Sequence, residues 1–134
     1  MSLSKSSLPG SHDDESFAIY YYYLSGAQRS NPENGELNRF FAAVSEYMTR
    51  GELDGKELET IGLDAYAMAT ALKEKKEGGR KLSPQEVSLL GGAQSAYYLF
   101  REIDVRQRFG VLLSAALCRE VTSKAGRSHL RRVA

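Results

Sequence analysis

Apolar residues recur along this chain at steps of three and four, the period of a helix with one buried face. Phe17, Tyr20, Tyr21 and Leu24 make one such face, and Leu37, Phe40, Phe41, Val44 and Met48 a second. Leu58, Ile61, Ala65, Met68 and Leu72 make a third. Four consecutive tyrosines, Tyr20 to Tyr23, directly after Ile19 would also suit a strand. No other segment offers a strand to pair with them, so helix is the expectation there.

The polar punctuation between these faces agrees with that reading. Ser11 can cap a first helix whose opening turn holds Asp13, Asp14 and Glu15, where the helix dipole favours negative charge. Asn31-Pro32-Glu33 predicts a second start, with proline at the first helical position, and Arg50-Gly51 its end. Asp54 and Glu57 are spaced as a capping box, with Leu53 and Leu58 as an apolar staple across it. That helix should close at Gly78-Gly79. Ser83-Pro84-Gln85-Glu86 is the strongest start signal, with Leu82 and Val87 as its staple. Beyond Pro84 the chain runs to Lys124 without another proline. Glycine costs a helix interior about 1 kcal/mol against alanine, so a break or kink is expected at Gly91-Gly92. A long helix over about 93–123, bent near Gly110, should follow, with Leu99, Ile103, Gly110, Leu113, Leu117 and Val121 on one side. Arg106 interrupts that side. The expected fold is all-α, a single-domain bundle of about five helices with a long C-terminal helix and flexible termini. Its parts are a disordered leader over 1–10, a helical domain over 11–124 and a basic tail over 125–134. No period of 20–50 residues repeats, which argues against a solenoid.

Composition narrows the class. The chain has 134 residues, 42% apolar and 26% charged, the size and make-up of one globular domain. No apolar run approaches the ~18 residues a membrane span needs, and Val111 to Cys118 is far too short. Residues 1–10 are serine-rich and lack the apolar stretch of a secretory signal. Cys118 is the single cysteine, which fits a reducing compartment and a cytoplasmic location.

Candidate chemistry is sparse. The two histidines, His12 and His129, both fall in the terminal segments, away from any nucleophile held rigidly beside them. Cys118 reads as a small hydrophobe. Ser11-His12-Asp13-Asp14-Glu15 holds metal-ligand types, but consecutive helical residues splay around the axis and do not converge on one ion. Gly78-Gly79-Arg80-Lys81-Leu82-Ser83 resembles a phosphate loop in composition only, lacking its spacing and following a helix. No enzyme activity, metal or cofactor is expected.

Charge then changes the picture. Net charge is +1, yet residues 1–79 carry 8 Lys+Arg and 13 Asp+Glu, a net −5, while residues 80–134 carry 10 and 4, a net +6. On a continuous helix Arg101, Arg108 and Arg119 return to one face over ~27 Å, a row that could follow a phosphate backbone. Lys124, Arg127, Arg131 and Arg132 extend it, and Arg80 with Lys81 adds two cations beside a helix N-terminus. Tyr20 to Tyr23 span about 300° of a helix, so they cannot all face one core. Tyr20, Tyr22 and Tyr23 are therefore candidates for a protein interface. Tyr97 and Tyr98, in the basic half, would better suit stacking on bases.

The leading expectation is a non-enzymatic helical accessory subunit of a larger ribonucleoprotein or DNA-processing assembly. Its basic half would contact RNA or single-stranded DNA backbone without reading sequence. The alternative is a protein-only adaptor or chaperone-like regulator, binding a protein partner through its aromatic N-terminal helix.

Overall fold

The computed structural model describes residues 14–110, which form four helices and no strand. They are α1 (Asp14–Ser30), α2 (Gly35–Arg50), α3 (Gly55–Glu77) and α4 (Pro84–Phe109). The expected leader, the Ser11 cap, the basic tail and the stretch from Val111 onward, with Leu113, Leu117, Cys118 and Val121, lie outside the described residues.

Local signals account for most of the helix ends. Ser83 Oγ accepts from the Glu86 amide at 3.1 Å, and Glu86 Oε1 accepts from the Ser83 amide at 3.0 Å, completing the box before α4. Asp54 Oδ2 accepts from the Glu57 amide at 3.1 Å to open α3. Gly51 closes α2 in the left-handed region at φ 86°, which its missing Cβ permits. Leu53 and Leu58 are both buried, as their staple requires, but Val87 is 56% exposed, so only Leu82 of the other staple is sealed.

The second start is misplaced by three residues. Asn34, not Asn31, caps α2, its side chain accepting from the Leu37 amide at 2.9 Å. Asn31 is instead buried behind the end of α1, where its Nδ2 donates to the Ala27 carbonyl at 2.9 Å and to Ser88 Oγ on α4 at 3.0 Å. A tertiary partner 57 residues away outcompeted the local capping role.

The larger correction concerns α4. The count of about five helices rests on a break at Gly91-Gly92, and α4 runs through both glycines without one. A Cβ at Gly92 would stand 2.7 Å from the Ala27 Cβ and 3.0 Å from Leu37 Cδ2, so its lack of a side chain lets α1 and α2 press against α4. The predicted long helix over 93–123 is likewise revised. The described helix ends at Phe109, with Gly110 at φ 67° as its left-handed cap.

Helix α4 is the centre of the bundle, touching all three others and packing most extensively on α1 and α3. Its Ala96, Leu99, Phe100 and Ile103 meet Phe17, Tyr21 and Leu24 of α1, Leu37, Phe40 and Val44 of α2, and Leu58, Ile61 and Ala65 of α3 in one core. Phe40 and Phe100 pack edge to face with centroids 5.9 Å apart. Leu72, expected in the core, is only half-buried. At the far end of α4 the Gln107 amide clasps the α2–α3 connection, accepting from Leu53 N at 2.6 Å and donating to Leu53 O at 3.2 Å.

Candidate functional site

Of the predicted phosphate contacts, Arg80, Lys81, Arg101 and Arg108 are described, and all four are exposed. Arg119, Lys124, Arg127, Arg131 and Arg132 lie outside the described residues. Arg101 and Arg108 share one face of α4, as their seven-residue spacing requires. Arg108 is paired with Asp104 at 3.0 Å, and the Arg101 guanidinium rests 5.7 Å from the centre of the Tyr97 ring. Arg80 and Lys81 stand before the other end of α4, about 26 Å from Arg101 along the helix. They are not brought together with the arginines. Residues 14–110 carry 12 Lys+Arg and 15 Asp+Glu, so the described bundle has a net charge of −3.

The tyrosine run divides as the helical phase requires. Tyr21 is 1% exposed, with its hydroxyl 3.1 Å from Ser45 Oγ, and burial pushes its acidity to a pH above the usual 10 despite that hydrogen bond. Tyr23 is 60% exposed. Tyr20 and Tyr22 are half-buried. Tyr20 stacks on Tyr98 at 4.0 Å and meets Tyr23 edge-on at 5.9 Å, so the two tyrosines expected to serve base stacking and protein contact are packed on each other. The Tyr22 hydroxyl is buried and makes no hydrogen bond among the described residues.

These rings border a groove of about 560 Å³ between α1 and α4. Its walls hold Tyr20, Tyr22, Tyr23, Ser30, Ser88 and Gln94, and its floor is lowered by Gly26 and Gly91. A Cβ at either of those two glycines would meet nothing within 4 Å. Among the described residues no Asp, Glu, Lys or Arg lines it. The groove can offer apolar area and neutral hydrogen bonds, and lacks an acid–base pair or an anion-binding cation of its own.

Two features escaped the sequence reading. The first is an ionic cluster under the α1–α4 contact. Arg106, fully buried, donates through Nη2 to Asp14 Oδ1 at 2.7 Å and lies 3.5 Å from Glu102 Oε2 through Nε. Its guanidinium sits 5.8 Å from the centre of the Phe17 ring. The charges also suit the dipoles, with Asp14 in the first turn of α1 and Arg106 in the last turn of α4. The interruption at Arg106 was thus the visible trace of a buried pair, and Glu102 four residues before it was the signal to read. The second is a groove of about 620 Å³ between α3 and α4, where Arg101 and Arg108 face Glu59, Leu63 and Tyr66.

At the α3–α4 corner, Glu86 is held below the ordinary carboxylate range, first by its hydrogen bond with Lys75 and then by the Ser83 amide. Among the described residues no group of three His, Cys, Asp or Glu could hold a metal ion, and no helix is long and apolar enough to cross a membrane. Comparison with protein-family models, curated proteins and solved structures finds no match to this chain.

Proposed function

We propose that this chain is a non-enzymatic helical adaptor that docks a protein partner in the α1–α4 groove, with Tyr20, Tyr22 and Tyr23 as its contact residues. The observation that carries this reading is the uncharged lining of tyrosine, serine, glycine and glutamine around an exposed aromatic side chain. Tyrosine supplies a large amphipathic area at small conformational cost, while serine and glycine supply adaptable hydrogen bonding, the composition antibody loops use to hold proteins. A nucleic-acid backbone would find no cation there among the described residues.

The reading is tested by capture from native lysate with the full chain, run with and without nuclease. A protein that binds the natural chain, survives nuclease and is lost with Tyr22→Ala/Tyr23→Ala supports it, provided the variant keeps its helical content. Loss of folding in that variant, or capture unaffected by it, would sink the tyrosine interface.

The accessory-subunit reading keeps one specific observation in its favour. Arg101 and Arg108 remain exposed on one face of an unbroken helix. In that reading they join Arg119, Lys124, Arg127, Arg131 and Arg132 along RNA or single-stranded DNA. Three to six such contacts give a salt slope of roughly −2 to −5 in log K against log salt. Titration of a short single-stranded oligonucleotide at two salt concentrations separates the readings, since an adaptor acting through an uncharged groove has no such slope.

A further inference from the structure

Helix α3 is the least covered element of the bundle. Only Leu58, Ile61 and Ala65 of its 23 residues are buried, while Leu63 is 63% and Tyr66 52% exposed. Both of those exposed side chains border the groove between α3 and α4. Tyr66 leans on Tyr97 across it at 5.2 Å, and Gly62 leaves the floor without a side chain. Such a cluster of adjacent aromatic and aliphatic side chains has the make-up of an interface core.

The charges on the rims say what covers it. Asp104 and Arg108, both on the α4 side, neutralise each other at 3.0 Å. That leaves Glu59 on the α3 rim and Arg101 on the α4 rim, and neither forms an ion pair among the described residues. A wholly acidic segment laid in the groove would satisfy Arg101 and oppose Glu59, and a basic one would do the reverse. A phosphate backbone would meet Glu59 as well as Arg101. A surface whose described residues leave one acid on one wall and one cation on the other outside any ion pair is complementary to itself. Under a two-fold rotation each copy's acid meets the other's cation, which is what an isologous contact demands. The net charge of +1 on the whole chain adds almost no repulsion between copies.

We propose that the α3–α4 groove is a self-association surface, in which two copies of this chain pair about a two-fold axis. Leu63 and Tyr66 of each copy enter the groove of the other, and Glu59 of each faces Arg101 of the other. This surface shares no residue with the α1–α4 groove, so the pairing leaves that groove open and does not rest on the adaptor reading.

Sedimentation velocity on the full chain over a range of concentrations tests this. The natural chain should sediment as a dimer that dissociates on dilution. Leu63→Asp/Tyr66→Asp should sediment as a monomer with unchanged helical content, because both side chains are exposed within one copy. Glu59→Arg and Arg101→Glu should each weaken the dimer about tenfold, since each places two like-charge contacts across the axis. The double swap Glu59→Arg/Arg101→Glu should restore the dimer to within about threefold of the natural chain. A chain monomeric at every concentration overturns the proposal. So does a dimer that tolerates Leu63→Asp/Tyr66→Asp, or a double swap no better than the worse single change.

Discussion

Helix α4 has a neighbour on either side, and the two contacts are built differently. Against α1 it is mortised. Gly92 lets the Ala27 Cβ come within the space a side chain would occupy, Asn31 reaches across to Ser88, and Arg106 ties Asp14 from a fully buried position. Six of the 17 residues of α1 are buried. Against α3, Leu58, Ile61 and Ala65 are buried at spacings of three and four, and beyond them the interface opens into a groove floored by Leu58 and Phe100. Three of 23 residues of α3 are buried, fewer on a longer helix. The contrast teaches that one helix can hold the fold together on one side and keep an unfilled aromatic groove on the other. The neutral α1–α4 groove lies on the side closed by Gly92 and Arg106, where Tyr20 stacks on Tyr98. The α3–α4 groove lies on the side with least to lose from remodelling.

The two contacts of α4 differ most at Arg106. Arg106→Ala removes the cation from beside Glu102, which is 6% exposed, and from Asp14. Breaking a buried ion pair by removing one member is expected to cost about 3–5 kcal/mol. Urea denaturation followed by circular dichroism measures it. Arg101→Ala, on the open side, should change stability by less than about 0.5 kcal/mol. Equal losses at the two positions would mean that the α1 contact is no tighter than the α3 contact.

A smaller effect comes from the adjacent glycines. Gly92→Ala must push apart Ala27 and Leu37, and overpacking of this kind costs about 1–3 kcal/mol even after the gain in helix propensity. Gly91→Ala meets open space and should stabilise the chain by up to about 1 kcal/mol. The same methyl group, added one residue apart, should therefore move the thermal midpoint in opposite directions.

The smallest effect sits at the corner where α3 turns into α4. The Glu86 carboxyl is more acidic in the folded chain than the ordinary 4.5, because Lys75 and the Ser83 amide favour its charged form. Its contribution is therefore present above pH ~4.5 and is lost as pH falls through the lowered value. Glu86→Gln should destabilise the chain slightly at neutral pH and leave it equal to the natural chain in strong acid. Stability against pH for both chains measures the difference, which ought to narrow only on the acid side.

How much of this was legible in the residues depends on the range of the force involved. The Ser83–Glu86 box, the Gly51 cap and the Gly78-Gly79 end are set by hydrogen bonds and backbone sterics within four residues, so spacing alone located them. The helical phase also assigned Tyr21 to the core and Tyr23 to the surface, because it needs only the 100° step between residues. Function was hardly legible, since neither groove has a motif. Each exists only because the fold sets two helices side by side, with Tyr20 near Gln94 in one groove and Tyr66 near Tyr97 in the other.

The helical class, both ends of α3 and the start of α4 follow from the chain read locally, without reference to any other element. Three decisions belong to the tertiary structure. Gly92 became a close packing point inside a continuous helix instead of part of a break, because two other helices cover it and offset the propensity it lacks. Asn31 left its cap to Asn34, because a serine on α4 gave its amide a buried partner. Arg106 went inside, because the dipole-favoured ends of α1 and α4 met there with Asp14 and Glu102 in place. In each case the deciding group lies outside the helix concerned, and only the folded chain brings it within reach.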